Sequence, residues 1–503
     1  MSLLTVAERS QYQATSTHAE MMAYIAELSA LHHPALHVSD FGSSPQGRAL
    51  PLLILSSAGV KDAAAARALD RPVVLLQNCI HAGEVEGKEA VLMLVRDLLA
   101  GKDMGILDKL TVLVVPMFNP DGNDAMDTRN RALDIARLTG QDGPPKVGTR
   151  VNASGINLNR DYIRHDAQEM RLLQTRVCHP WQPDLSLDTH ATNGSVHRFA
   201  MTVDIPHTVE SGRREPIEFM RHTLVPEVTD AVKANYGLDS GWYGNFVEDE
   251  RVLDAGGVAD PKSGVREGWM TYPHHPRFGG NYRGLTNRLD LLMECYSYLN
   301  YEERVITSYA WLSETLHLAA RRADEIRQLV ASSRTPPPRV AVRYGLETFP
   351  EPITILTREP RTREGAPGTV QIPHFGRFVG RCVVDRPRGY ILPGALAPFL
   401  RGHGLHIEPA PAQATVEIAT FHGAKREAGR AILEAGGVGH PELSWSRQSR
   451  AMPEGSLLLP TDQPLGAVAV YLAEPESDDG LVENGLLPTP ALGGEFAAMR
   501  WID

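Results

Sequence analysis

"VVLLQNCIHAGEVEGKEAVLMLVRDLL" occupies residues 73–99 and joins two patterns with different hydrophobic periods. The continuous apolar run at 73–76 predicts a buried strand, and the spacing of apolar residues over 87–99 predicts a helix. Between them the chain places an imidazole at His81 and a carboxylate at Glu84. These two groups are either a metal-binding pair at the end of a strand or an ordinary polar start to the helix.

The same alternation of strand and helix continues along the first two thirds of the chain. Strands are predicted at 73–80, 110–117, 185–188 and 289–294, and helices at 19–31, 87–99, 166–177, 216–236 and 301–333. Such alternation predicts an α/β fold with a mixed, largely parallel central sheet and helices on both faces. Functional groups gather at the carboxyl ends of strands in these sheets, which is where His81, His190 and Glu294 fall.

Three consecutive prolines at 336–338 mark the sharpest boundary in the sequence, because proline ends a helix and stiffens a link. Residues 1–334 are predicted to form the domain that carries the chemistry. Residues 335–503 have short apolar runs separated by Gly and Pro, which predict a smaller, β-rich C-terminal domain. No group of residues there indicates a catalytic role, so the function of this second domain is left open.

The bulk composition excludes several classes of partner. The 503 residues include 61 acidic and 50 basic side chains, and this balance argues against nucleic acid or an anionic membrane as a partner. The four cysteines form no CxxC pair. The N-terminus lacks the pattern of a signal peptide, so a cytoplasmic location is expected for the chain as given. A periplasmic or secreted location would follow if a signal had been removed, and the oligomeric state is left open.

A third metal ligand is sought because catalytic zinc usually has three protein ligands and one water. His190, in "DLSLDTHATNG" (184–194), is the candidate. Together with His81 and Glu84 it predicts an open zinc site formed by two strand ends. Each residue alone has a plainer interpretation: a helix start for the first pair, a hydrogen-bonded loop histidine for His190. Asp188 is expected either to orient a ligand histidine or to cap the strand end.

The loop "TRVNASGINLNRDY" (149–162) presents Asn159 and Arg160 side by side. A guanidinium binds a carboxylate through two parallel hydrogen bonds, so this pair is suited to an anionic end group of a substrate. The plainer interpretation is a solvated loop arginine.

The ordered set "HAGE" (81–84), "NPDG" (119–122), "GINLNRDY" (155–162), "DTHATNG" (188–194) and "LLMECYSY" (291–298) resembles the zinc metallocarboxypeptidases of the carboxypeptidase A type. The catalytic resemblance covers about the first 330 residues, and the tail is similar to a domain appended in bacterial members. The resemblance implies one Zn²⁺ ion held by His81, Glu84 and His190. It also implies that Glu294 is the catalytic base and acid.

The resemblance extends to the residues around the substrate. Asn159 and Arg160 match the pair that holds the terminal carboxylate, and Arg150 matches the arginine that stabilises the tetrahedral intermediate. Arg129 and Arg131 are weaker candidates for the latter role. Tyr272 falls where the family has a mobile catalytic tyrosine. This match rests on spacing alone, and Tyr243 and Tyr282 are the alternative candidates for the role.

Three positions depart from the family pattern. Gly83 stands where an arginine is common, Asn157 stands where an aspartate is usual, and Asp161 follows Arg160. An amide at 157 would support a ligand histidine less strongly than a carboxylate. An acid at 161 would weaken the binding of a free carboxylate or favour a substrate with a positive charge nearby.

The leading prediction is a zinc-dependent hydrolase that removes C-terminal residues from peptides bearing a free carboxylate, using metal-activated water with Glu294 as base and acid. One alternative is a zinc amidohydrolase or deacylase for small N-acyl amino acids. An alternative of another class is a non-catalytic zinc- or peptide-binding protein. The preferred side chain and the physiological substrate are left open.

A second histidine pair, His274 and His275, is predicted to lie at the rim of the cleft without a metal role, because adjacent side chains of an extended segment point to opposite faces. The nearby Arg277, Arg283 and Arg288 are predicted either to shape specificity or to form a solvated basic loop.

Overall fold

The computed structural model describes residues 3–103, 105–192, 194–250, 267–425 and 440–503. Its first ten strands are β1 (Leu36–Ser43), β2 (Ala49–Leu55), β3 (Val73–Gln77), β4 (Thr111–Val115), β5 (Leu185–Ala191), β6 (Met201–Asp204), β7 (Ser240–Trp242), β8 (Asn245–Phe246), β9 (Trp269–Met270) and β10 (Leu289–Cys295). The later strands are β11 (Arg339–Thr348), β12 (Ile353–Glu359), β13 (Ala366–Ile372), β14 (His374–Asp385), β15 (Gly389–Leu392), β16 (Glu408–Pro409), β17 (Gln413–Lys425), β18 (His440–Ala451), β19 (Leu457–Pro460) and β20 (Glu495–Trp501).

The helices of the first half are α1 (Val6–Arg9), α2 (His18–Ser29), α3 (Ala63–Ala68), α4 (Glu86–Leu99), α5 (Gly105–Lys109), α6 (Pro120–Asp124), α7 (Gln168–Leu172), α8 (His179–Trp181), α9 (Arg214–Phe219), α10 (Val225–Tyr236) and α11 (Val247–Glu250). Those that follow are α12 (Gly279–Leu285), α13 (Tyr301–Arg321), α14 (Ala323–Ser332), α15 (Ala397–Gly402) and α16 (Gly466–Ala473). Wider π-type turns, Leu173–Cys178 and Met220–Leu224, extend α7 and join α9 to α10.

An eight-stranded sheet in the order β1-β2-β4-β3-β5-β10-β6-β7 forms the centre of the fold. The pairs β3–β4, β3–β5, β5–β10 and β6–β7 are parallel. The pairs β1–β2, β2–β4 and β10–β6 are antiparallel. The prediction of a mixed, largely parallel sheet is therefore confirmed.

Helices cover both faces of this sheet because its inner strands are apolar on both sides. On β3, Val74 and Leu76 pack into one core with residues of α4, α10 and α13. Val73 and Leu75 point to the opposite face and pack into a second core with residues of α7 and α12. This arrangement confirms the predicted two-sided α/β fold.

The long helix predicted at 301–333 is two helices. α13 is capped at its start by Asn300, whose side chain accepts a hydrogen bond from the Glu303 amide at 2.9 Å. It ends before Arg322, which has φ −106° and ψ 22° and separates α13 from α14. A single non-helical residue leaves the apolar spacing nearly intact, so the pattern alone did not reveal the break.

Residues 335–503 are rich in strands, as predicted, and they share structure with the first part of the chain. β14 pairs in parallel with β9, and the second core contains Phe118 and Tyr282 together with Tyr471. The domain boundary between residues 334 and 335 remains a prediction. Within the described residues, no helix combines the length and apolar character that crossing a bilayer requires.

Candidate active site

The predicted metal ligands come from two neighbouring strand ends. β3 ends at Gln77 and α4 begins at Glu86, so His81 and Glu84 lie in the connection between them. A turn closed by the Glu84 amide and the His81 carbonyl, 2.9 Å apart, places both side chains on the same side. His190 lies near the end of β5, the parallel neighbour of β3. Because parallel strands end at the same edge, the three side chains meet there.

The donor atoms of these three residues converge closely. His81 Nδ1 lies 3.2 Å from Glu84 Oε2, and His190 Nδ1 lies 3.0 Å from the same oxygen. The two Nδ1 atoms are 3.1 Å apart, and all three side chains are buried. Ligand atoms that lie about 2.0–2.2 Å from a tetrahedral ion are separated from one another by little more than the 3.0–3.2 Å found here. The three donor atoms therefore fit a zinc ion.

The protonation of the histidines is set by their surroundings. Burial and the Arg150 guanidinium lower the pKa of His81 to about 3, which leaves the ring in the neutral form that binds metals. Although burial opposes it, the Asp188 carboxylate raises the pKa of His190 well above its usual value. Burial also opposes ionisation of Glu84, but the Arg131 guanidinium and the hydrogen bond from His190 lower its pKa. A dication would replace the proton that His190 shares with these carboxylates.

The second ring nitrogen of each ligand histidine faces a side-chain oxygen. His81 Nε2 lies 3.1 Å from Asn157 Oδ1, and His190 Nε2 lies 3.5 Å from Asp188 Oδ1. Partners of this kind fix the orientation of a metal-binding imidazole. Asn157 thus occupies the supporting position in spite of its departure from the family pattern, and Asp188 takes the orienting place that was one of its two interpretations.

Glu294 stands beside the ligands on the adjacent strand. In the parallel pairing of β5 and β10, Glu294 is the register partner of His190. Burial raises the pKa of Glu294 to about 7, with repulsion from Glu84 adding to the shift against attraction by His190. A carboxyl group with a pKa near neutrality, next to a candidate metal position, is suited to proton transfer.

Two of the three candidate arginines reach the ligands. Arg150 Nη1 lies 3.1 Å from His81 Nδ1 and 3.3 Å from Glu84 Oε1, and its side chain is 42% exposed. Arg131 Nη1 donates to Glu84 Oε1 at 3.0 Å from a more enclosed position. Arg129 instead forms an exposed ion pair with Asp127. Arg150 is thus the more exposed of the two arginines that reach the ligands.

The geometry explains the glycine at position 83. A Cβ atom there would lie 2.7 Å from Arg131 Cδ and 2.8 Å from the Gly148 carbonyl oxygen. Any larger residue would displace the arginine that binds Glu84. Arg131 comes from a distant segment and places its guanidinium beside Glu84. Glu84 therefore keeps an arginine partner although position 83 is a glycine.

Asn159 and Arg160 lie on a short 3₁₀ turn next to His190. Asn159 Oδ1 accepts a hydrogen bond from the Gly279 amide at 2.9 Å, and its Nδ2 is 3.5 Å from His190 Nε2. The Arg160 guanidinium carbon lies 3.9 Å above the Phe278 ring, a cation–π contact that orients the fork. The structure thus places Asn159 of the predicted carboxylate-binding pair beside His190 and holds the Arg160 guanidinium against Phe278.

Asp161 does not take part in this group. Its two carboxylate oxygens accept the Asp166 and Ala167 amides at 2.9 and 2.8 Å, just before α7. The expectation that an acid at 161 would alter substrate charge preference therefore has no support in the geometry, since the side chain is used to organise the start of a helix.

The predicted tyrosine lies close to the group but is enclosed. Tyr272 packs against His207, Tyr243 and Phe278, with ring centroids 4.5, 6.1 and 5.4 Å away. Burial and the Asp204 carboxylate raise the pKa of Tyr272 well above its usual value. Tyr282, an alternative candidate, instead lies 2.7 Å from His403 Nδ1 through its hydroxyl. The catalytic role of Tyr272 remains a prediction.

The structure contradicts the predicted rim position of the two histidines in the segment 274–288 and one of the two interpretations of the nearby arginines. His274 and His275 are 4% and 6% exposed rather than at a rim, and their rings stack with centroids 4.3 Å apart. The predicted solvated loop does not describe Arg277 and Arg283, which are buried in ion pairs. Short-range periodicity failed here because the partners lie far away in the chain.

A buried polar network under the ligands escaped the sequence analysis. Arg283 donates to Asp290 Oδ2, Gln77 Oε1 and the Tyr162 hydroxyl, each at 2.7 Å, and lies 3.6 Å from Asp188. It thus anchors the carboxylate that orients His190. A central strand reading "LDLLM" with an acid at 290 was the available signal, because a buried carboxylate requires a partner.

The chain is similar to known proteins both in sequence and in structure. Residues 21–183 match the zinc carboxypeptidase family model. Mouse carboxypeptidase D is 32% identical over 135 residues, which are 24% of this chain and 9% of that protein. Carboxypeptidase 2 of Trichophyton tonsurans is 20% identical over 488 residues, 92% of this chain and 82% of that protein. The crystal structure of a Burkholderia cenocepacia metallo-carboxypeptidase aligns over 59% of this chain and 67% of its own, with 17% identity and a TM-score of 0.40.

The chain is thus similar to the zinc metallocarboxypeptidases, a class of metallopeptidase hydrolases, and the predicted resemblance is confirmed. This chain spans only a tenth or less of the mouse protein, so the activity and substrates of such relatives are not transferred to it directly.

Proposed function

We propose that this protein is a zinc-dependent carboxypeptidase that hydrolyses the C-terminal peptide bond of peptides. The observation that carries the proposal is the convergence of two imidazole nitrogens and one carboxylate oxygen within 3.0–3.2 Å, beside Glu294. Two histidines and one glutamate leave a coordination position of zinc open for water. A closed structural site would be expected to provide a fourth protein ligand.

His81, Glu84 and His190 would hold a single zinc ion. When bound, zinc lowers the pKa of a water ligand to about 7 and polarises a carbonyl oxygen. The neutral ring of His81 is ready to bind, and the deprotonation of His190 accompanies loading. Affinity for the metal is therefore expected to rise with pH through the titration of His190.

Glu294 acts as the general base and then as the general acid. Its carboxylate takes a proton from the attacking water and passes it to the nitrogen of the leaving amine. General acid–base catalysis of this kind contributes roughly 10²–10⁴-fold to the rate. Arg150 donates hydrogen bonds to the oxygen of the tetrahedral intermediate, where the loss of one such donor typically costs about 2.7–4 kcal/mol of barrier.

Asn159 and Arg160 bind the terminal carboxylate of the substrate. The guanidinium provides two parallel donors, and the Asn159 amide provides a third while its oxygen stays bonded to Gly279. Binding the chain end at a fixed distance from the metal selects the last peptide bond for cleavage. The proposed substrates are therefore peptides with a free C-terminal carboxylate.

The experiment combines metal analysis with a trimming assay on the purified protein. Release of the last amino acid from N-blocked dipeptides and longer peptides is expected in the presence of zinc. Glu294→Gln should keep the metal and lower kcat by about 10²–10⁴-fold, because the amide cannot accept the proton. Near-normal turnover by this variant would remove Glu294 from the mechanism.

A deacylase for N-acyl amino acids would use the same groups, because such a substrate also has a carboxylate next to an amide. A matched panel of N-acyl amino acids, dipeptides and longer peptides separates the two reactions by kcat/KM. Cleavage of N-acyl amino acids alone would replace the proposed peptidase activity. Binding of zinc and peptide with no turnover on any member would instead indicate a binding protein.

A further inference from the structure

The residues that face Arg160 belong to a segment without regular secondary structure. Residues 271–278, all of which the structure describes, form neither helix nor strand. This segment and Gly279 are called here the 271–279 loop. Its Phe278 ring lies under the Arg160 guanidinium, and its Gly279 amide donates to Asn159 Oδ1. The Arg277 carbonyl also accepts the Tyr162 amide at 3.4 Å. The position of the carboxylate-binding pair thus depends on this loop.

The loop is held from two hundred residues further along the chain. Asp479 receives three hydrogen bonds from Arg277: the backbone amide at 2.7 Å, Nε at 2.9 Å and Nη2 at 2.5 Å. The Asp479 side chain is fully buried, and that of Arg277 is 8% exposed. Asn484 Nδ2 donates at 3.0 Å to Asp479 Oδ1, the oxygen that accepts both guanidinium bonds. A pair that engages backbone and side chain at once fixes both the place and the direction of the loop.

The neighbouring aspartate holds the same loop at a second point. His274 Nε2 donates to Asp478 Oδ2 at 2.8 Å, and the Tyr344 amide donates to the same oxygen at 3.2 Å. The Tyr471 hydroxyl donates to the other oxygen at 2.5 Å. Two consecutive acids from the C-terminal part therefore bind the loop three residues apart, at His274 and Arg277.

These contacts carry a large energetic weight. Breaking a buried ion pair by removing one partner is strongly destabilising, because the remaining charge stays uncompensated. The loop is also held by the Asn281 side-chain amide, which donates to the Pro273 and His275 carbonyls at 2.9 and 3.3 Å, but these bonds do not reach the Arg277 side chain. Loss of Asp479 would therefore release Arg277, and with it the Phe278 ring and the Gly279 amide that position Arg160 and Asn159.

We infer that Asp479, assisted by Asp478, is a positioning residue for recognition of the substrate's terminal carboxylate, so that the C-terminal part of the chain completes the binding site. The inference rests on the proposed carboxypeptidase function. It assigns a role to a region for which the sequence indicated none. The expected consequence of weakening the contact is poorer binding of the free carboxylate with the hydrolytic step largely retained.

The test compares Asp479→Asn with a matched variant of the same segment, Glu474→Gln. Glu474 is also fully buried, but its bonds go to Arg500, at 2.8 and 3.0 Å, and to the Tyr390 hydroxyl. Both variants should lower Tm. Only Asp479→Asn should raise KM for an N-blocked dipeptide, by about tenfold, with kcat within about threefold of wild type. Asp479→Glu should recover part of the affinity.

A milder variant covers the case in which Asp479→Asn fails to fold. Asn484→Ala removes the two hydrogen bonds that Asn484 Nδ2 donates to Asp479, one to Oδ1 and one to the backbone carbonyl, without leaving a buried charge. It should raise KM in the same direction by a few fold. An unchanged KM in a folded Asp479→Asn or Asn484→Ala protein, or an equal rise in Glu474→Gln, would overturn the inference. If the wild type releases no C-terminal residue from any peptide, the proposed function itself fails, which is a different result.

Discussion

Two groups of two histidines and one carboxylate lie buried in the part of the chain that the structure describes, and their surroundings differ. In each group the donor atoms lie within 4.8 Å of one another. At His81, Glu84 and His190, two ring nitrogens face each other at 3.1 Å around one carboxylate oxygen. At His274, His275 and Asp478, the carboxylate is already satisfied by His274, the Tyr344 amide and the Tyr471 hydroxyl.

The difference shows that donor composition does not by itself define a metal site. Two imidazole nitrogens in contact cannot both carry a proton. A bound cation would remove the repulsion between the donor atoms of the first group. In the second group, burial opposes ionisation, but His274 and His275 lower the pKa of Asp478 well below its usual value. An acid held as an anion by its protein partners has no need of a metal. The first group is interpreted as a catalytic centre and the second as a structural ion pair.

The largest expected effect is the loss of activity when metal is removed, because only the first group is expected to bind a metal ion. Treatment with a strong chelator should abolish peptide hydrolysis and lower Tm, because an ion bound only by the folded state stabilises that state. Zinc should restore both quantities. In His190→Ala, the chelator should leave Tm unchanged. Full activity in chelator-treated protein that contains no metal would show that the first group is not a metal centre.

The second prediction concerns the anchor next to the first group. Arg160→Ala should raise KM for peptides with a free C-terminal carboxylate by roughly 10- to 150-fold, since hydrogen bonds to a charged group contribute about 1.5–3 kcal/mol. Substrates with a blocked end should be spared. The control is Arg129→Ala, an exposed arginine paired with Asp127. Steady-state kinetics on both substrate types decide the matter, and equal effects on the two would exclude Arg160 as the anchor.

The smallest expected effect is a change in the free energy of unfolding when Asp478 of the second group is substituted. The folded pKa of Asp478 is below its unfolded value, so its ionisation stabilises the fold above about pH 4, and this contribution is lost as pH falls. Asp478→Asn should lower the free energy of unfolding at pH 7 by about 1–3 kcal/mol. Urea unfolding of both proteins between pH 7 and 3 should show the difference shrinking toward acid. A difference that grows toward acid would contradict the assignment.

Much of the fold was predictable because it follows from local patterns. The apolar run of β3 and the helical spacing of α4 identified the connection that carries His81 and Glu84. The order of five motifs then indicated which other strand ends to join. The break at Arg322 was missed, since one non-helical residue hardly disturbs the spacing of apolar side chains.

The remaining parts of the site depend on contacts that no local pattern encodes. The rule that adjacent side chains diverge failed for His274 and His275, because their segment lies between Pro273 and Pro276 and is shaped by Asp478. Arg131 supports Glu84 only because Gly83 leaves room for it. Such pairings join residues far apart in sequence, and a single sequence does not connect them.

Counting metal ions per chain tests the central claim most directly. We expect inductively coupled plasma mass spectrometry of zinc-loaded, dialysed protein to give one zinc per chain in the wild type and in His275→Ala, and close to none in His190→Ala. Retention of one zinc by His190→Ala with its loss in His275→Ala would place the metal at the other histidine group and contradict the account.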